Sequence, residues 1–476
     1  MGGIVRKSGY SARTQLLAAF VVVALILGGG GSPNPWTEIA LEIVFVAFAL
    51  AWAWLPQRES SLGPTSSDRL ALVLVAVPLV VPIVQLVPLP PSIWTGLPGR
   101  ENAVAALSLV GQQATWRPIS LSPSRTLASL LSIVPAVFCL YAVSRLNLSE
   151  RRIIIGTVFV MAIVTALLGA VQVVSGGRGL NFYPQHHIGW VTGFQANRNA
   201  TADILLSGFL ALAALAAPHL VGGRRRHPLG LNNRALSVLA GATALFLLAA
   251  TMMTGSRTGI ALVLVAGTGA LLLFFVTRDT SRFSTRRGSL VFAAAVVWAV
   301  LGVAFWALSD VTAASRVALR FADFETPRTE IWKDTWFALK QYWPAGFGLG
   351  GFEPAMLPAE RLEVLVPQVP NRAHNDFLEI ALEAGLLGCA MVGAALILCI
   401  VLAWRAWRAV PAMRGQVIFG LAVLLVVALH SIVDYPLRSM ALACLSGVAA
   451  GMLVRYRVSA DRQTALGADQ DLKGLA

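Results

Sequence analysis

The sequence predicts an all-α polytopic membrane protein with about twelve transmembrane helices, and with one large helical loop on the outer face of the membrane. The first observation is composition: 57% of the 476 residues are hydrophobic and 13% are charged, whereas about a quarter of a soluble domain is charged. The second is the mean hydropathy of +0.71. The third is patterning, because the charged residues form short clusters between long apolar segments.

Apolar segments long enough to cross a bilayer follow one another along the chain. About 20 apolar residues span the hydrocarbon core as a helix, and an isolated segment satisfies its backbone in lipid only as a helix. The segments lack the alternation of a barrel strand. We interpret the first as an uncleaved signal anchor, since no small-residue cleavage site follows it. The predicted spans are 15–31, 38–55, 70–89, 127–144, 153–175, 202–221, 236–254, 257–277, 290–309, 376–403, 416–434 and 438–454.

The basic residues predict how these spans are oriented. The formal net charge is +14, but Lys and Arg punctuate the apolar segments instead of forming one face, so we exclude a nucleic-acid-binding protein. Arginines recur in every second connection, for example Arg151, Arg225, Arg286 and Arg405, and cytoplasmic loops are rich in such residues. This pattern places both termini in the cytoplasm. The four cysteines lie inside apolar segments and predict neither disulfides nor metal ligands.

The segment 310–375 is the largest predicted outer loop. Thr326 and Pro327 suit the cap and the first residue of a helix, and large apolar residues then recur at helical spacing over 332–343. We expect an amphipathic helix that lies on the outer membrane surface or over a cavity. Two further segments, 90–126 and 176–201, complete the predicted outer face.

Two arginines in the outer connections are candidate anion-binding residues. Arg257, in the tight turn Thr254–Gly259, opens a helix, where the helix dipole favours an anion. The alternative for Arg257 is anchoring to lipid head groups. Arg328 lies at the start of the predicted amphipathic helix, which also suits an anion. The glycine-rich run Gly346–Phe352 lacks the Lys-Ser/Thr pair of a phosphate loop, and we predict that it is a flexible turn.

The stretch Asn371–Glu379, where the long loop re-enters the membrane, contains the candidate base. His374 is the side chain best suited to take a proton near neutral pH, and Arg372 and Glu379 are its predicted neighbours. Asn375 or Asp376 suits the cap of the following helix. The alternative is a capping cluster with a solvated histidine. We favour the functional interpretation, because the histidine follows a long basic loop.

Two polar groups elsewhere are further candidates. Asn197, Arg198 and Asn199 precede the sixth span, and amides beside a guanidinium suit sugar hydroxyls and phosphate; a polar helix start is the alternative. His430 and Asp434 are four residues apart on the eleventh span and therefore share one face. Ionisable residues inside a membrane are functional candidates, but a structural hydrogen-bonded pair explains these two equally well.

In their order along the chain, these motifs resemble the O-antigen ligase and polymerase superfamily, the Wzy-C-type membrane glycosyltransferases. The resemblance covers roughly residues 190–440 and implies a GT-C-like helical architecture. It is carried by the segments Gly193–Asn199, Ser256–Gly259, Arg328–Gly348, His374–Gly388 and His430–Pro436. The corresponding divisions are 1–189 for the first five transmembrane helices, 190–440 for the core with loop 310–375, and 441–476 for the last helix and a cytoplasmic tail.

The resemblance also implies a chemistry. Members of the superfamily are glycosyltransferases that use an undecaprenyl-diphosphate-linked oligosaccharide donor on the periplasmic side of the bacterial inner membrane. By correspondence of motifs, Arg257 and Arg328 would hold the diphosphate and His374 would assist the acceptor. The implied partners are that donor, a glycan or lipid A-core acceptor and membrane lipids, with no nucleic acid. We predict no metal and no cofactor, because guanidinium groups bind the charge of a leaving diphosphate bidentately.

We therefore predict an inverting polysaccharide polymerase, with an O-antigen ligase that transfers glycan to lipid A-core as the first alternative. A twelve-helix secondary transporter is the alternative from another class. Few charged residues lie at mid-membrane depth and no inverted repeat is visible in the sequence, which argues against the transporter. The predicted catalytic residues are His374, Arg257 and Arg328, and the predicted substrate-binding residues are Arg198, Asn197, Asn199, Arg372, Asn375 and Glu379.

Overall fold

A computed structural model describes residues 11–31, 36–56, 66–176, 180–183, 187–220, 232–277, 327–364 and 370–456. Over these residues the protein is a bundle of α-helices, which confirms the predicted all-α polytopic membrane fold. Nine helices of the described part are long and apolar enough to cross a membrane, and two shorter apolar helices accompany them. Two-residue strands, β1 (Pro88–Leu89) and β2 (Arg117–Pro118), form one antiparallel pair.

The helices are numbered in chain order. The first ten are α1 (Ala12–Leu27), α2 (Trp36–Trp54), α3 (Ser66–Leu86), α4 (Pro91–Trp94), α5 (Glu101–Leu109), α6 (Pro123–Ser144), α7 (Leu148–Val174), α8 (Arg198–Leu220), α9 (Asn233–Met253) and α10 (Arg257–Thr277). The other five are α11 (Pro327–Tyr342), α12 (Phe352–Met356), α13 (Asp376–Ala409), α14 (Arg414–His430) and α15 (Met440–Met452). Eleven predicted spans correspond to helices, while the predicted span 290–309 lies outside the described residues.

Helix α8 lies in the interior of the bundle. It is buried on nearly all sides, and it packs against α7, α9, α10 and α14. Small residues allow the close approach: a Cβ on Gly208 would lie 2.1 Å from Ala162 of α7, and one on Gly259 of α10 would lie 2.5 Å from Ala202. Such residues are typical of helix contacts in membranes. The first turns of α8 and α10 are therefore held side by side.

The glycines after α1 end that helix short of its predicted boundary. Helix α1 stops at Leu27, and the carbonyl of Gly28 then accepts a hydrogen bond from the Ala441 amide at 2.9 Å. A Cβ on Gly29 would lie 2.2 Å from the Phe194 carbonyl oxygen. The glycine run thus leaves the helix and packs against the residues that precede α8 and against the start of α15. We call this end of the bundle, where α8 begins and α14 ends, the site end.

The segments around α4–α5 and around α11–α12 form a cap that packs on the bundle. Arg100 is buried and donates to the carbonyls of Ile119 at 2.6 Å and Gly346 at 3.0 Å. The Leu121 amide donates to the Phe347 carbonyl at 2.8 Å. Two of the predicted outer segments, 90–126 and the described part of 310–375, therefore meet each other at one place.

Helix α11 confirms the predicted amphipathic helix. Ala338 and Leu339 are buried in the core of the cap, while Trp336 and Phe337 are about half exposed. The helix packs against the first half of α13. It therefore has a covered apolar face and an exposed face that carries large aromatic side chains.

Helix α13 is interrupted at Gly385, whose φ of 56° and ψ of −144° are not helical. The glycine-rich run after α11 packs against this interruption. The Gly348 amide of that run donates to the Glu383 carbonyl at 2.8 Å. This run forms a turn, as predicted, but it is closely packed: a Cβ on Gly346 would lie 2.5 Å from the Glu383 carbonyl oxygen. The break in α13 frees carbonyl groups to hold the cap on the bundle.

We expect Gly385→Ala to destabilise the protein by about 3 kcal/mol, because its backbone conformation is strained for any residue with a Cβ. The added Cβ would also lie 2.0 Å from the Pro344 carbonyl oxygen. Thermal unfolding of the purified protein, followed by tryptophan fluorescence, measures the loss. The matched control is Gly393→Ala on the same helix, where a Cβ meets nothing within 4 Å. Equal melting temperatures for the two variants would contradict the argument.

Candidate active site

The carboxylate of Asp434 is the point on which the predicted site residues converge. Asp434 lies in the turn that follows α14 and is 1% exposed. Its Oδ1 is 3.2 Å from Nδ1 of His374. Its Oδ2 accepts hydrogen bonds from the side-chain amides of Asn197, at 3.2 Å, and Asn199. Three residues predicted as catalytic or substrate-binding, from two distant parts of the chain, thus share one buried acid.

The start of α8 positions the two amides. The Asn197 side chain accepts a hydrogen bond from the Asn199 backbone amide at 2.9 Å, so the two side chains begin the helix together. Arg198 between them places its guanidinium 5.3 Å from the centre of the Trp190 ring. A Cβ on Gly255 would lie 2.4 Å from the same ring. Trp190 therefore packs between the start of α8 and the turn that leads to α10.

His374 is held in an unusual backbone conformation immediately before α13. Its φ of 51° lies in the left-handed region, where non-glycine residues are uncommon and often functional. The Trp332 indole donates to the Ala373 carbonyl at 2.9 Å, which fixes the chain on one side. On the other side, Asn375, one of the two predicted cap residues, caps α13 by accepting from the Leu378 amide at 3.0 Å. The contacts of Ala373 and Asn375 therefore fix the backbone on both sides of His374, and with it the direction of the imidazole.

The surroundings of Asp434 determine which nitrogen of His374 carries the proton. Burial opposes ionisation of Asp434, but the hydrogen bond from His374 and the nearby charges of His430 and Arg328 outweigh it and lower its pKa below the ordinary value. An ionised carboxylate only accepts hydrogen bonds, so His374 donates through Nδ1. In the neutral ring, Nε2 then carries the lone pair that can take a proton. The side chain is 28% exposed, which leaves it accessible.

Tyr435 packs beside His374. Its ring meets the His374 ring edge to face, with centroids 4.9 Å apart. Burial raises the pKa of the Tyr435 hydroxyl above its ordinary value, as does the charge of Asp434. Tyr435 therefore remains protonated and serves as one wall of the site.

A second cluster, behind His374, joins α13 to the turn after α14. Asp376, Glu379 and Glu383 lie on one face of α13 and are buried. Arg438 reaches all three, with closest approaches of 3.7, 3.2 and 2.7 Å in that order. Ser431 donates to Asp376 at 3.0 Å. These contacts hold the segment that carries His374 against the turn that carries Asp434.

The predicted substrate-binding residues Arg372 and Glu379 are paired with each other. Their closest atoms are 3.0 Å apart, and Glu379 also accepts from the Ala373 amide at 2.9 Å. The carboxylate of Glu379 thus clamps the residues just before His374. Among the described residues, no group of three or more His, Cys, Asp or Glu side chains is placed to hold a metal ion.

The two predicted anion-binding arginines lie at helix starts. Arg257 is the first residue of α10, after a turn in which the Ser256 hydroxyl accepts from the Gly259 amide at 3.0 Å. Arg328 is the second residue of α11, and its charge acts on Asp434 and Tyr435. Arg328 therefore contributes positive charge to the same site as His374, while Arg257 opens the helix that packs beside the start of α8.

Several charged residues of this region are not among the predicted catalytic and substrate-binding residues. His430 and Asp434 are predicted only as a candidate pair, and Asp203 and Arg438 are not predicted at all. Asp203 lies on the buried helix α8, and its Oδ1 is 2.7 Å from Nδ1 of His430. His430 and Asp434 approach each other to 4.0 Å and do not form the hydrogen-bonded pair that their spacing suggested. The available signal for Asp203 was a lone acid inside an apolar segment, which is costly to bury without a partner.

A protein-family model matches the middle of the chain. Residues 242–393 match the family described as O-antigen ligase (Wzy_C). No curated protein sequence matches the chain. The matched region includes Arg257, Arg328 and His374, whereas Asn197 and Asp434 lie on either side of it. The family is one of glycosyltransferase-like enzymes of bacterial membranes, in agreement with the membrane-length helices.

Proposed function

We propose, from the match of residues 242–393 to the O-antigen ligase family, that the protein transfers an undecaprenyl-diphosphate-linked glycan to an acceptor hydroxyl. The transfer takes place on the periplasmic face of the bacterial inner membrane, with both termini of the chain in the cytoplasm. We favour a polysaccharide polymerase, with transfer to lipid A-core as the alternative. The observation that carries the proposal is the His374–Asp434 pair, which the family match alone does not supply.

In the proposed reaction, Nε2 of His374 takes the proton of the acceptor hydroxyl while the hydroxyl oxygen bonds to the anomeric carbon of the donor. The bond from that carbon to the diphosphate oxygen breaks, and its electron pair remains on the diphosphate. Attack from the face opposite the leaving group inverts the anomeric centre. Asp434 keeps the imidazole in the required tautomer and stabilises the imidazolium that forms, as the acid of a catalytic triad does.

The arginines are proposed to receive the charge that builds on the leaving diphosphate. Fixed guanidinium groups in a site with little water stabilise such charge strongly, and Arg328 and Arg257 both lie at helix starts, which favour anions. Arg198 remains a proposed contact of the donor. The amides of Asn197 and Asn199 hold Asp434, so we propose that they act on the base and not directly on the sugar.

We expect Arg257→Ala to lower the transfer rate about 100-fold, the usual cost of losing one group that stabilises transition-state charge. Arg257→Lys should recover part of the rate, because it keeps the charge but loses the bidentate geometry. The measurement is the initial rate with purified protein in nanodiscs and an undecaprenyl-diphosphate-linked oligosaccharide. Arg125→Ala is the matched control: Arg125 forms an exposed ion pair with Glu353 and should keep its rate within about twofold. A normal rate for Arg257→Ala would remove this residue from the mechanism.

A deletion strain tests the function and separates its two forms. Gel analysis of lipopolysaccharide and secreted polysaccharide should show loss of long chains in the deletion strain. Single repeat units without polymer indicate a polymerase, whereas lipid-linked polymer that accumulates beside an uncapped core indicates a ligase. Unchanged lipopolysaccharide and polysaccharide, together with no transfer by the purified protein, would refute the proposal.

A further inference from the structure

Behind Asp434, on the side away from His374, lies a buried histidine between two acids. His430, at the end of α14, is 1% exposed, and Asp203 on α8 is fully buried. Nδ1 of His430 is 2.7 Å from Oδ1 of Asp203, and its Nε2 is 4.0 Å from Oδ2 of Asp434. Within the described part of the chain, Nε2 of His430 and Oδ2 of Asp203 have no hydrogen-bond partner. Both ring nitrogens of His430 thus face a carboxylate.

Without a positive charge on His430, the carboxylates of Asp203 and Asp434 would have no positive charge between them. Burying two carboxylates close together is costly unless a positive charge lies between them. Asp434 has partners of its own in His374 and the two asparagine amides. Asp203 is hydrogen-bonded to Nδ1 of His430, and the second N–H of an imidazolium, on Nε2, lies at ion-pair distance, 4.0 Å, from Asp434. The arrangement therefore suits a positively charged His430.

Charged side chains on three structural elements act on His430. Asp203 faces it from α8, Asp434 from the turn after α14, and the charge of Arg328 acts on it from α11. The two acids are the nearer groups, at 2.7 and 4.0 Å. The result is an alternating series of acid and imidazole, Asp203–His430–Asp434–His374, which connects the interior of the bundle to the base.

We propose that Asp203 and His430 are positioning residues for glycan transfer. A buried imidazolium, anchored by Asp203, fixes the place and the negative charge of Asp434, and through Asp434 the orientation of His374. Neither residue touches the substrate, and both act through Asp434. This inference rests on the proposed function, and it adds to it a dependence of the base on two buried residues, one on α8 and one at the end of α14.

The first test replaces each residue by a neutral side chain of similar shape. His430→Gln and Asp203→Asn should each lower kcat at least tenfold while KM for the lipid-linked donor stays within twofold, because positioning of the base is lost and donor binding is not. Asp203→Glu should recover part of kcat. In His430→Gln the acidic limb of the kcat–pH profile should move to higher pH, since a positive charge that opposes protonation of the His374–Asp434 pair is gone.

The matched control is Ser207→Ala. Ser207 lies one turn from Asp203 on α8, and its buried hydroxyl has no hydrogen-bond partner among the described residues. Its replacement should leave kcat and the pH profile unchanged. A merely structural role for His430 would lower the yield of folded protein and leave kcat per folded molecule and the pH profile as in the wild type. That result for His430→Gln would overturn the proposal.

A readout without substrate separates this inference from the proposed function. In protein labelled with ¹⁵N-histidine, one imidazolium signal should persist above neutral pH in the wild type and disappear in His430→Gln. Its absence from the wild type would overturn the inference even if transfer is active. If the signal is present but the wild-type protein transfers no glycan, the proposed function fails and with it the positioning role, while the charged buried pair stands.

Discussion

Replacement of His374 by alanine is expected to lower the rate of glycan transfer about 1,000-fold, within the range that general acid–base catalysis contributes. The side chain is held by Asp434 at Nδ1 and leaves Nε2 as the nitrogen that takes the proton. Without it, the acceptor hydroxyl must attack without a base, while the arginines still bind the diphosphate. The residual rate should therefore stay above the rate without enzyme, and KM for the donor should change little.

The measurement is the initial transfer rate of the purified variant, normalised to the folded fraction. Added imidazole should restore part of the rate of His374→Ala, because the small base fits where the side chain was removed. His219→Ala is the matched control, since His219 lies in the last turn of α8, at the end remote from the site. A rate for His374→Ala within tenfold of the wild type, at equal folding, would exclude His374 as the base.

Replacement of Asp434 by asparagine is expected to have an effect of similar size, a loss of about 1,000-fold or more in kcat. The asparagine keeps the shape of the side chain but removes the charge that makes His374 donate through Nδ1. The opposite tautomer would then place the proton on Nε2 and block the base. The variant also lacks the negative charge that stabilises the imidazolium. Rate measurements over a range of pH should show the loss at every pH.

Two further variants test the argument about charge and tautomer that underlies Asp434→Asn. Asp434→Glu keeps the charge and should retain more activity than Asp434→Asn, although its longer side chain displaces the ring. Asn199→Asp should also lower the rate, because a second acid would replace an amide that donates to Asp434. If Asp434→Asn transferred glycan at the wild-type rate, the tautomer argument would be wrong and His374 would act without this partner.

The helices of the bundle could be predicted because their cause is local. Hydropathy over some twenty residues decides whether a segment can lie in lipid, and the predicted segments in the described part of the chain are helical. The amphipathic helix α11 followed from a threonine–proline start and the spacing of its apolar residues, and Asn375 caps α13 as its side chain suggested. The predicted end of α1, at residue 31, was wrong. The helix ends at Leu27, because the glycines that follow leave the helix and pack against α15.

The candidate site could be predicted only in part. His374, Asn197 and Asn199 stood out as polar residues at the starts of helices. For their common partner Asp434 the sequence predicts only that it shares a helix face with His430, and it predicts no role for Asp203. The Asn197–Asp434 contact joins residues 237 positions apart, and the Asp203–His430 contact joins residues 227 apart. No local pattern links such residues, so their pairing depends on how the helices pack.

The extent of the site also differs from the extent of the family match. The match ends at residue 393 and begins at residue 242, so α8 and the turn after α14 lie outside it. The wider division, 190–440, that we predict for the core includes both. The amides from the start of α8 and the acid after α14 complete a candidate site whose proposed base and proposed anion-binding arginines lie inside the matched region. The membrane orientation of the site is a prediction that the accessibility of His374 to membrane-impermeant reagents can test.

The sequence alone predicted a helical membrane protein with an amphipathic helix in its longest loop and a short set of polar residues at helix starts, because hydropathy and helix capping act within a few residues. Tertiary structure decided which of these residues meet. Close contacts of small residues, such as Gly208 against Ala162, bring α8 into the interior, and only there does Asp203 face His430. Buried charges must find partners, and which partner each one finds is a property of the packed bundle.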